Sequence, residues 1–543
     1  VNASLPTLRA AFDAAVAARP GGDFLHVPAA AAREFAPGPV TLTYAAAAAE
    51  VAVRESRWRA AGFGRGHRVA LVLDNRPEFF LQMLALHGLG ASIVPVNAAM
   101  SRDELAYVLA HADVAAAVAH PGHAAHVRAA LPAAVPLLVA DARPDRPPPP
   151  DAPAPARAPS AAPGEAALMY TSGTTGTPKG CILGHEYFLQ CGRHYVEIGG
   201  YCAFRPGEDR LVTPLPVTHM NALCVSLTAM ILTESCLVQL DRFHPTTWWT
   251  SVREARATCF HYLGVMPAML LGLPASPEDD LRGRVRFAFG AGVDPRHQAA
   301  FEARFGVPLI EAWAMTETGG GAWITASEEP RHVGSRCFGR APAGVEVRIV
   351  AEDGRDAGVG EPGELLVRRA GPAPRFGFFA GYYKDPEATE AAWADGWFHT
   401  GDVVARDADG SFRFVDRLKN VIRRSGENIA AVEVESVLMQ HPAVRACAVT
   451  AVPDEVRGEE VFAWLVPADG VAADEATACD VQRHAATALV YFKSPGWIAF
   501  TDALPQTASQ KLARGQIKRL AAALVADGSA LDLRAGKRRP SAH

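Results

Sequence analysis

Four stretches of this chain repeat one design: an apolar run short enough to be a buried strand, ended by small or polar residues. They are residues 211–221, 260–267, 285–292 and 308–317. In a fifth, the apolar run from Ala166 to Met169 leads into residues 170–180. Apolar runs of this length, bounded by glycines and polar tips, read as buried strands. Residues 69–73 and 91–96 read the same way, and between them Phe79, Phe80, Met83, Leu84 and Leu86 fall at helical spacing. Strand–helix–strand alternation predicts an α/β layer with a parallel sheet. In open sheets of that kind, ligands gather at the carboxyl ends of the strands. The tips are therefore expected to face one cleft.

The tip at 170–180 carries the most chemistry. It holds Thr171, Ser172, Thr174, Thr175 and Thr177, three glycines, and Lys179. Gly173, Gly176 and Gly180 let the backbone turn tightly and bring its N–H groups close to a ligand. The hydroxyls add donors and Lys179 adds positive charge, a set that suits a polyphosphate. It is not the common nucleotide P-loop, because Pro178 precedes Lys179 and Gly180 follows it. The pair Gly88 and Gly90 does not open a dinucleotide fingerprint, since Ile93 stands where the third glycine belongs.

At 543 residues the chain is too long for one ordinary core, so two or more domains are expected. Residues 340–415 alternate short apolar segments with Asp-Gly turns at Asp353-Gly354 and Asp409-Gly410, which are hairpin signals. From about 418 the style changes to an α+β unit of about 120 residues, with Asp474 placed to cap a helix. Residues 143–164 are mostly Pro and Ala and read as an extended surface loop, either an insertion or a linker. A net charge of -5 gives no electrostatic case for nucleic acid. No run is long and apolar enough to suggest a membrane span. The nine cysteines form no C-x-x-C pair, which suits a reducing compartment, and a cytoplasmic location is expected.

Taken together, the motifs resemble those of the adenylate-forming superfamily, the acyl-CoA synthetases and other AMP-dependent synthetases and ligases. The resemblance rests on residues 170–180, 313–317, 396–402, Asp416, Arg417 and Lys419, residues 426–429, and 504–511, in that order. Residues 424–429 are most similar to the crotonobetaine/carnitine-type and medium-chain CoA ligases. The fold this implies is α/β: a large N-terminal domain of stacked α/β sheets with a β-rich subdomain, then a small mobile α+β domain. The implied boundaries are 1–416 for the AMP-binding domain and 417–543 for the mobile domain, with a hinge near Lys419.

The implied reaction has two steps. A carboxylate attacks the α-phosphate of ATP, giving an acyl-adenylate and pyrophosphate, and the thiol of coenzyme A then displaces AMP. Charge develops on phosphate and acyl oxygens, so fixed donors and Mg²⁺ should dominate catalysis. Lys511, Glu317 and His219 are the implied catalytic residues, with Glu317 holding Mg²⁺. Thr171, Ser172, Gly173, Thr174, Thr175 and Lys179 would cradle phosphates. Gly290, Ala291, Gly292, Glu311, Ala312, Trp313, Met315, Thr316 and Phe414 would bind ATP or AMP, with Gly290 to Gly292 letting adenine approach the backbone and Trp313 stacking on it where the family usually has Tyr. Asp402 and Arg417 would take the ribose. Met220, Asn221, Val265, Ala314, Gly319 and Trp323 would line the acyl pocket, where the glycines at 319–321 leave room on one wall. Gly426 and Glu427 would line the thiol path.

Gln510 departs from the family pattern, which has Gly before the lysine, and this bears on the backbone of the Lys511 loop. The expected partners are a small carboxylic acid and CoA, with a homo-oligomer compatible with the pattern. The alternative is a stand-alone adenylation enzyme that loads a carrier protein. Its amino-acid-activating branch is disfavoured because residues 217–220 offer no acid for an α-ammonium.

Overall fold

The computed structural model describes residues 5–140, 154–158, 160–171, 178–425, 427–506 and 512–537. Among these, the strands form four sheets. The first runs in the order Ile324–Thr325, Leu309–Trp313, Phe287–Ala291, Cys259–Leu263, Arg210–Thr213, Cys236–Gln239, Asp23–Val27 and Val40–Thr43. Its interior pairs are parallel and only the two edge strands are antiparallel. Parallel alignment is what brings the four repeated tips to one rim of the sheet.

The second sheet runs Gly381–Tyr382, Lys179–Gly184, Glu165–Thr171, Ser92–Pro95, Arg68–Val72, Ala116–Ala119 and Leu137–Val139. Leu137–Val139 and Glu165–Thr171 flank the Pro/Ala-rich stretch and belong to this one sheet, so that stretch is an insertion and not a linker. Its described end is tied back to the same unit: Ser160 and Ala161 donate to the Gly66 carbonyl, and Ala156 to that of Ala115. Helix Pro77–Gly88 is buried on nearly every side, as a helix apolar all round must be. Its Phe79, Phe80, Met83 and Leu84 join a core shared with residues of both sheets. Across the second sheet, Arg68 forms a fully buried fork with Glu165 at 2.7 and 2.8 Å, and Ser92 Oγ donates to the same carboxylate. Every charge there has a partner, the condition under which a buried pair is tolerated.

The third sheet is antiparallel: Cys337–Gly339, Phe412–Arg417, Phe398–Arg406, Gly363–Arg369 and Val345–Val350. Its turns at Gly354 and Gly410 have φ of +86° and +84°, conformations that glycine adopts without strain. The fourth sheet begins at Val421–Arg424 and Glu427–Ala430 and centres on Gly458–Pro467, flanked by Val444–Asp454 and Trp497–Phe500. Two clusters, drawn only from residues beyond 421, pack its faces, so this α+β unit has its own core. Asp474 caps helix Glu475–Ala488 by accepting from Thr477 N at 2.9 Å. Among the described residues, no helix is long and apolar enough to cross a membrane.

Candidate active site

A cavity of about 440 Å³ opens at the carboxyl ends of Phe287–Ala291 and Leu309–Trp313. Its walls include Gly292, Glu311, Trp313, Asp402 and Arg417. Helix Ala431–Leu438 closes it from the C-terminal unit through Val432, Glu435 and Ser436. Gly290 and Gly292 serve different ends. A Cβ at Gly290 would lie 2.3 Å from the Tyr262 carbonyl, so that glycine serves strand packing. Gly292, at φ +79°, has nothing within 4 Å of its Cβ position and leaves backbone open to the cavity. Ala291 beside it is exposed, and Ala312 and Phe414 are half-buried in the wall. Glu311 accepts from Gly292 N at 2.8 Å, from Val293 N at 3.3 Å and from the Tyr262 hydroxyl. Burial pushes its pKa up against these donors. Its carboxylate therefore shapes the glycine loop.

Trp313 Nε1 donates to Asp402 Oδ2 at 2.8 Å, and Arg417 Nε lies 2.7 Å from Asp402 Oδ1. Asp402 and Arg417 face each other across neighbouring strands. Asp402 is buried, and that burial raises its pKa although Arg417 and Trp313 oppose the shift. Next to it Asp416, also buried, accepts from Arg417 N at 2.7 Å and Asn420 Nδ2 at 3.3 Å through one oxygen. Its other oxygen accepts from Val432 N at 3.2 Å. One carboxylate thus holds both flanks of the short turn Leu418–Asn420, in which Lys419 is exposed. The covering helix is also held by Arg336, which donates to Ser436 Oγ at 3.2 Å, and by Ser436 Oγ, which donates to Asp294 at 3.3 Å.

At the other end, Lys179 pairs with Thr171 across antiparallel strands. Its Nζ lies 3.2 Å from Asp385 Oδ2 and 4.9 Å from the centre of the Tyr382 ring. The Tyr382 hydroxyl donates to Glu317 Oε1 at 3.0 Å. Tyr382 therefore joins the cation to the acid. Sequence reasoning missed it, and the only signal was its place in the aromatic run Tyr382-Tyr383 after Gly381. Glu317 is a single buried carboxylate of hard oxygens, which fits Mg²⁺ whose remaining ligands are water and phosphate oxygens. A separate group, Asp74, His120 and His123, brings three ligand atoms within 4.8 Å of one another at the ends of Arg68–Val72 and Ala116–Ala119. Ser172, Gly173, Thr174, Thr175, Gly426, Gln510 and Lys511 lie outside the described residues.

The acyl side differs from expectation at one point. The glycines at 319–321 leave no room. A Cβ at Gly319 would lie 2.1 Å from the Tyr187 ring, at Gly320 2.5 Å from the Gln190 backbone, and at Gly321 2.2 Å from the Phe378 ring. They are small because other segments press against them. Val265, expected in the pocket wall, opens helix Val265–Leu271 with 61% of its surface exposed. Trp323 is buried, with its ring 5.0 Å from His194, 5.9 Å from Tyr195 and 5.5 Å from Phe289. Tyr187 donates to the Thr316 carbonyl at 2.7 Å and approaches Met220 Sδ at 3.8 Å. Met315 N donates to Thr318 Oγ1, and Ala314 lines the cavity. His219 and Met220 are half-buried just before the π-helical turn Asn221–Ser226. Glu427 is exposed where the last sheet begins.

Comparison with known proteins places this geometry. The AMP-binding enzyme family model matches residues 17–383, and the AMP-binding enzyme C-terminal domain model matches 433–511. A sulfoacetate–CoA ligase of Cupriavidus necator is 34% identical over 494 residues, covering 87% of this chain and 91% of the relative. A crotonobetaine/carnitine–CoA ligase of Citrobacter koseri is 31% identical, covering 88% and 93%. The solved structure of ATP-bound MatB from Rhodopseudomonas palustris superposes with a TM-score of 0.77 at 26% identity, covering 95% of this chain and 99% of that one. The chain belongs to the AMP-binding enzyme family, the adenylate-forming acyl-CoA synthetases.

Proposed function

We propose that this acid–thiol ligase takes short carboxylic acids that carry a second polar group. The family's chemistry is activation of the acid with ATP, as an acyl-adenylate, followed by transfer to CoA with release of AMP. The observation that supports the substrate reading is the packing at the glycines: Tyr187 and Phe378 fill the space beside Gly319 and Gly321, and Trp323 is buried against Tyr195, which on this reading leaves little room for a long or bulky acid. Asn221 supplies a polar wall in the same region. The relatives named for sulfoacetate and for crotonobetaine or carnitine are consistent with polar acids, whereas a feruloyl-CoA synthase 33% identical to this chain is named for a bulky aromatic one, so the acid class rests on the packing.

In this reading adenine lies along Gly292 and the Trp313 ring, and Asp402 with Arg417 takes the ribose hydroxyls. Lys179 exchanges Asp385 for phosphate oxygens. Glu317 holds Mg²⁺, which neutralises charge on the transferring phosphates when bound. Lys511 stabilises the adenylating transition state, and His219 stands at the acyl end. The C-terminal unit turns about Lys419 between the two half-reactions, bringing Gly426 and Glu427 to the thiol path. Nine free cysteines, eight of them buried, support a reducing, cytoplasmic setting.

Replacing Trp323 by Leu tests the substrate reading. The smaller side chain should raise kcat/KM for acids two or three carbons longer by about tenfold and lower it for the shortest acids. An unchanged acid profile in the folded variant would remove Trp323 from the pocket wall.

A further inference from the structure

Beneath the acyl wall lies a buried polar chain that the two-step chemistry does not use. The turn Asn221–Ser226 is π-helical, a local widening that recurs at functional sites. Ser226 Oγ donates to the Asn221 carbonyl at 2.9 Å, five residues back, and so helps hold the wide turn. His261, on strand Cys259–Leu263, is 0% exposed. Its Nδ1 lies 2.5 Å from Asn221 Oδ1 and 3.0 Å from Ser226 Oγ, and its Nε2 lies 2.8 Å from the Tyr195 hydroxyl.

With the Asn221 carboxamide oriented as in the structure, its donors and acceptors and those of His261 fit together in one way. Burial lowers the His261 pKa to about 3, so the ring is neutral and carries one N–H. Asn221 Oδ1 can only accept, so that N–H sits on Nδ1, and Nε2 accepts from Tyr195. With Oδ1 held against His261, the Asn221 amide turns its Nδ2 the other way. Among the described residues, that Nδ2 donates to no partner. Phe289 and Tyr195, which pack against the His261 ring, also pack against Trp323. The chain therefore lies directly under the wall assigned to the acid.

We propose that His261 is a positioning residue for acid selection: it fixes the Asn221 carboxamide so that Nδ2 donates to a hydrogen-bond acceptor on the acyl group. The substrates this selects are short acids with an oxygen acceptor near the carboxylate, such as a hydroxyl, carbonyl, carboxylate or sulfonate. The inference rests on the reading that residues 220–221 wall the acyl pocket.

The test uses the full-length enzyme and two acids of nearly equal shape, 3-hydroxypropanoate and butanoate. His261→Asn keeps an N–H close to the Nδ1 position, whereas His261→Gln puts its amide on the Nε2 side and loses the bond to Asn221. The wild type should favour the hydroxy acid by about tenfold or more in kcat/KM, and His261→Asn should stay within about threefold of that. His261→Gln and Asn221→Leu should lose the preference through the KM for acid, with the KM for ATP unchanged. If the two His261 variants discriminate alike, the positioning role is wrong. If Asn221→Leu keeps the preference, the pocket reading itself is wrong. Should neither His261 variant fold, Tyr195→Phe removes one hydroxyl and keeps the ring. Its discrimination should fall by about threefold, and an unchanged value would overturn the inference.

Discussion

Trp313 Nε1 and Asp402 Oδ2 are hydrogen-bonded at 2.8 Å, which makes the aromatic wall of the nucleotide cavity and its acid a single unit. The two residues come from different sheets, on Leu309–Trp313 and Phe398–Arg406. Burying a carboxylate is costly, and the indole N–H on Oδ2 with the Arg417 charge 2.7 Å from Oδ1 offsets part of that cost. Tryptophan thus contributes a donor toward the acid as well as a ring face.

Trp313→Phe separates the two contributions, since it keeps a ring and removes the donor. Asp402 Oδ2 would lose its buried partner, at about 1–3 kcal/mol. The KM for ATP should rise by about tenfold with kcat changed much less, because ground-state and transition-state binding fall together. Steady-state kinetics against ATP check this, and an unchanged KM would leave Trp313 as a ring only.

Asp416 holds Arg417 N, the Asn420 side chain and Val432 N, so the turn containing Lys419 is clamped from both sides in this pose. Lys419→Pro fixes φ near -65° and removes a donor at the one turn between the clamps. One half-reaction should survive and the other collapse: pyrophosphate exchange retained with thioester formation lost if the adenylating pose is trapped. The two are measured separately on the folded variant. Equal retention of both would move the hinge elsewhere.

Four covered histidines make the fold sensitive to acid. Burial lowers the pKa of His87 and His261 to about 3 and of His185 and His194 to about 4. For His87 the neighbouring His185 adds to the effect, their rings lying 4.8 Å apart. The unfolded chain takes up these protons as pH drops through 6.5, and the folded chain does not until pH 4 to 3. Their stabilising contribution is therefore full above pH 6.5 and is lost across that window. At pH 5 each costs about 2 kcal/mol. Thermal unfolding at pH 7.5 and pH 5 should show a clear fall in midpoint, and equal midpoints would contradict the neutral buried state.

Gly319→Ala should destabilise by about 1–3 kcal/mol, the usual cost of overpacking, since its Cβ meets the Tyr187 ring and its φ is +48°. Displacing Tyr187 also disturbs its bond to the Thr316 carbonyl beside Glu317, so acid KM should rise as the midpoint falls. A variant as stable as the wild type would mean that Tyr187 yields freely.

The sheets were legible because their strands are apolar runs with sharp ends: residues 260–267, 285–292 and 308–317 do feed parallel neighbours with a common rim. The Asp-Gly turns gave the antiparallel sheet for the same local reason. What could not be read was what stands opposite a residue. The glycines at 319–321 suggest space in sequence, yet Tyr187 and Phe378, from other segments, fill it. Trp313 signals a ring but not its bond to Asp402, which lies 89 residues further on. Tyr382 and His261 carry no local pattern that marks them, since their roles come from the partners the fold brings to them.

Turnover of the wild-type enzyme on a panel of carboxylic acids decides whether the pocket selects short polar acids. AMP and pyrophosphate release would be followed with ATP, Mg²⁺ and each acid, with and without CoA. The panel would run from two-carbon polar acids through butanoate and octanoate to bulky aromatic acids. CoA-dependent AMP release should be highest for short acids bearing a second oxygen acceptor, with about a hundredfold lower kcat/KM for octanoate and the aromatic acids. Preferred turnover of the long or bulky acids would contradict it.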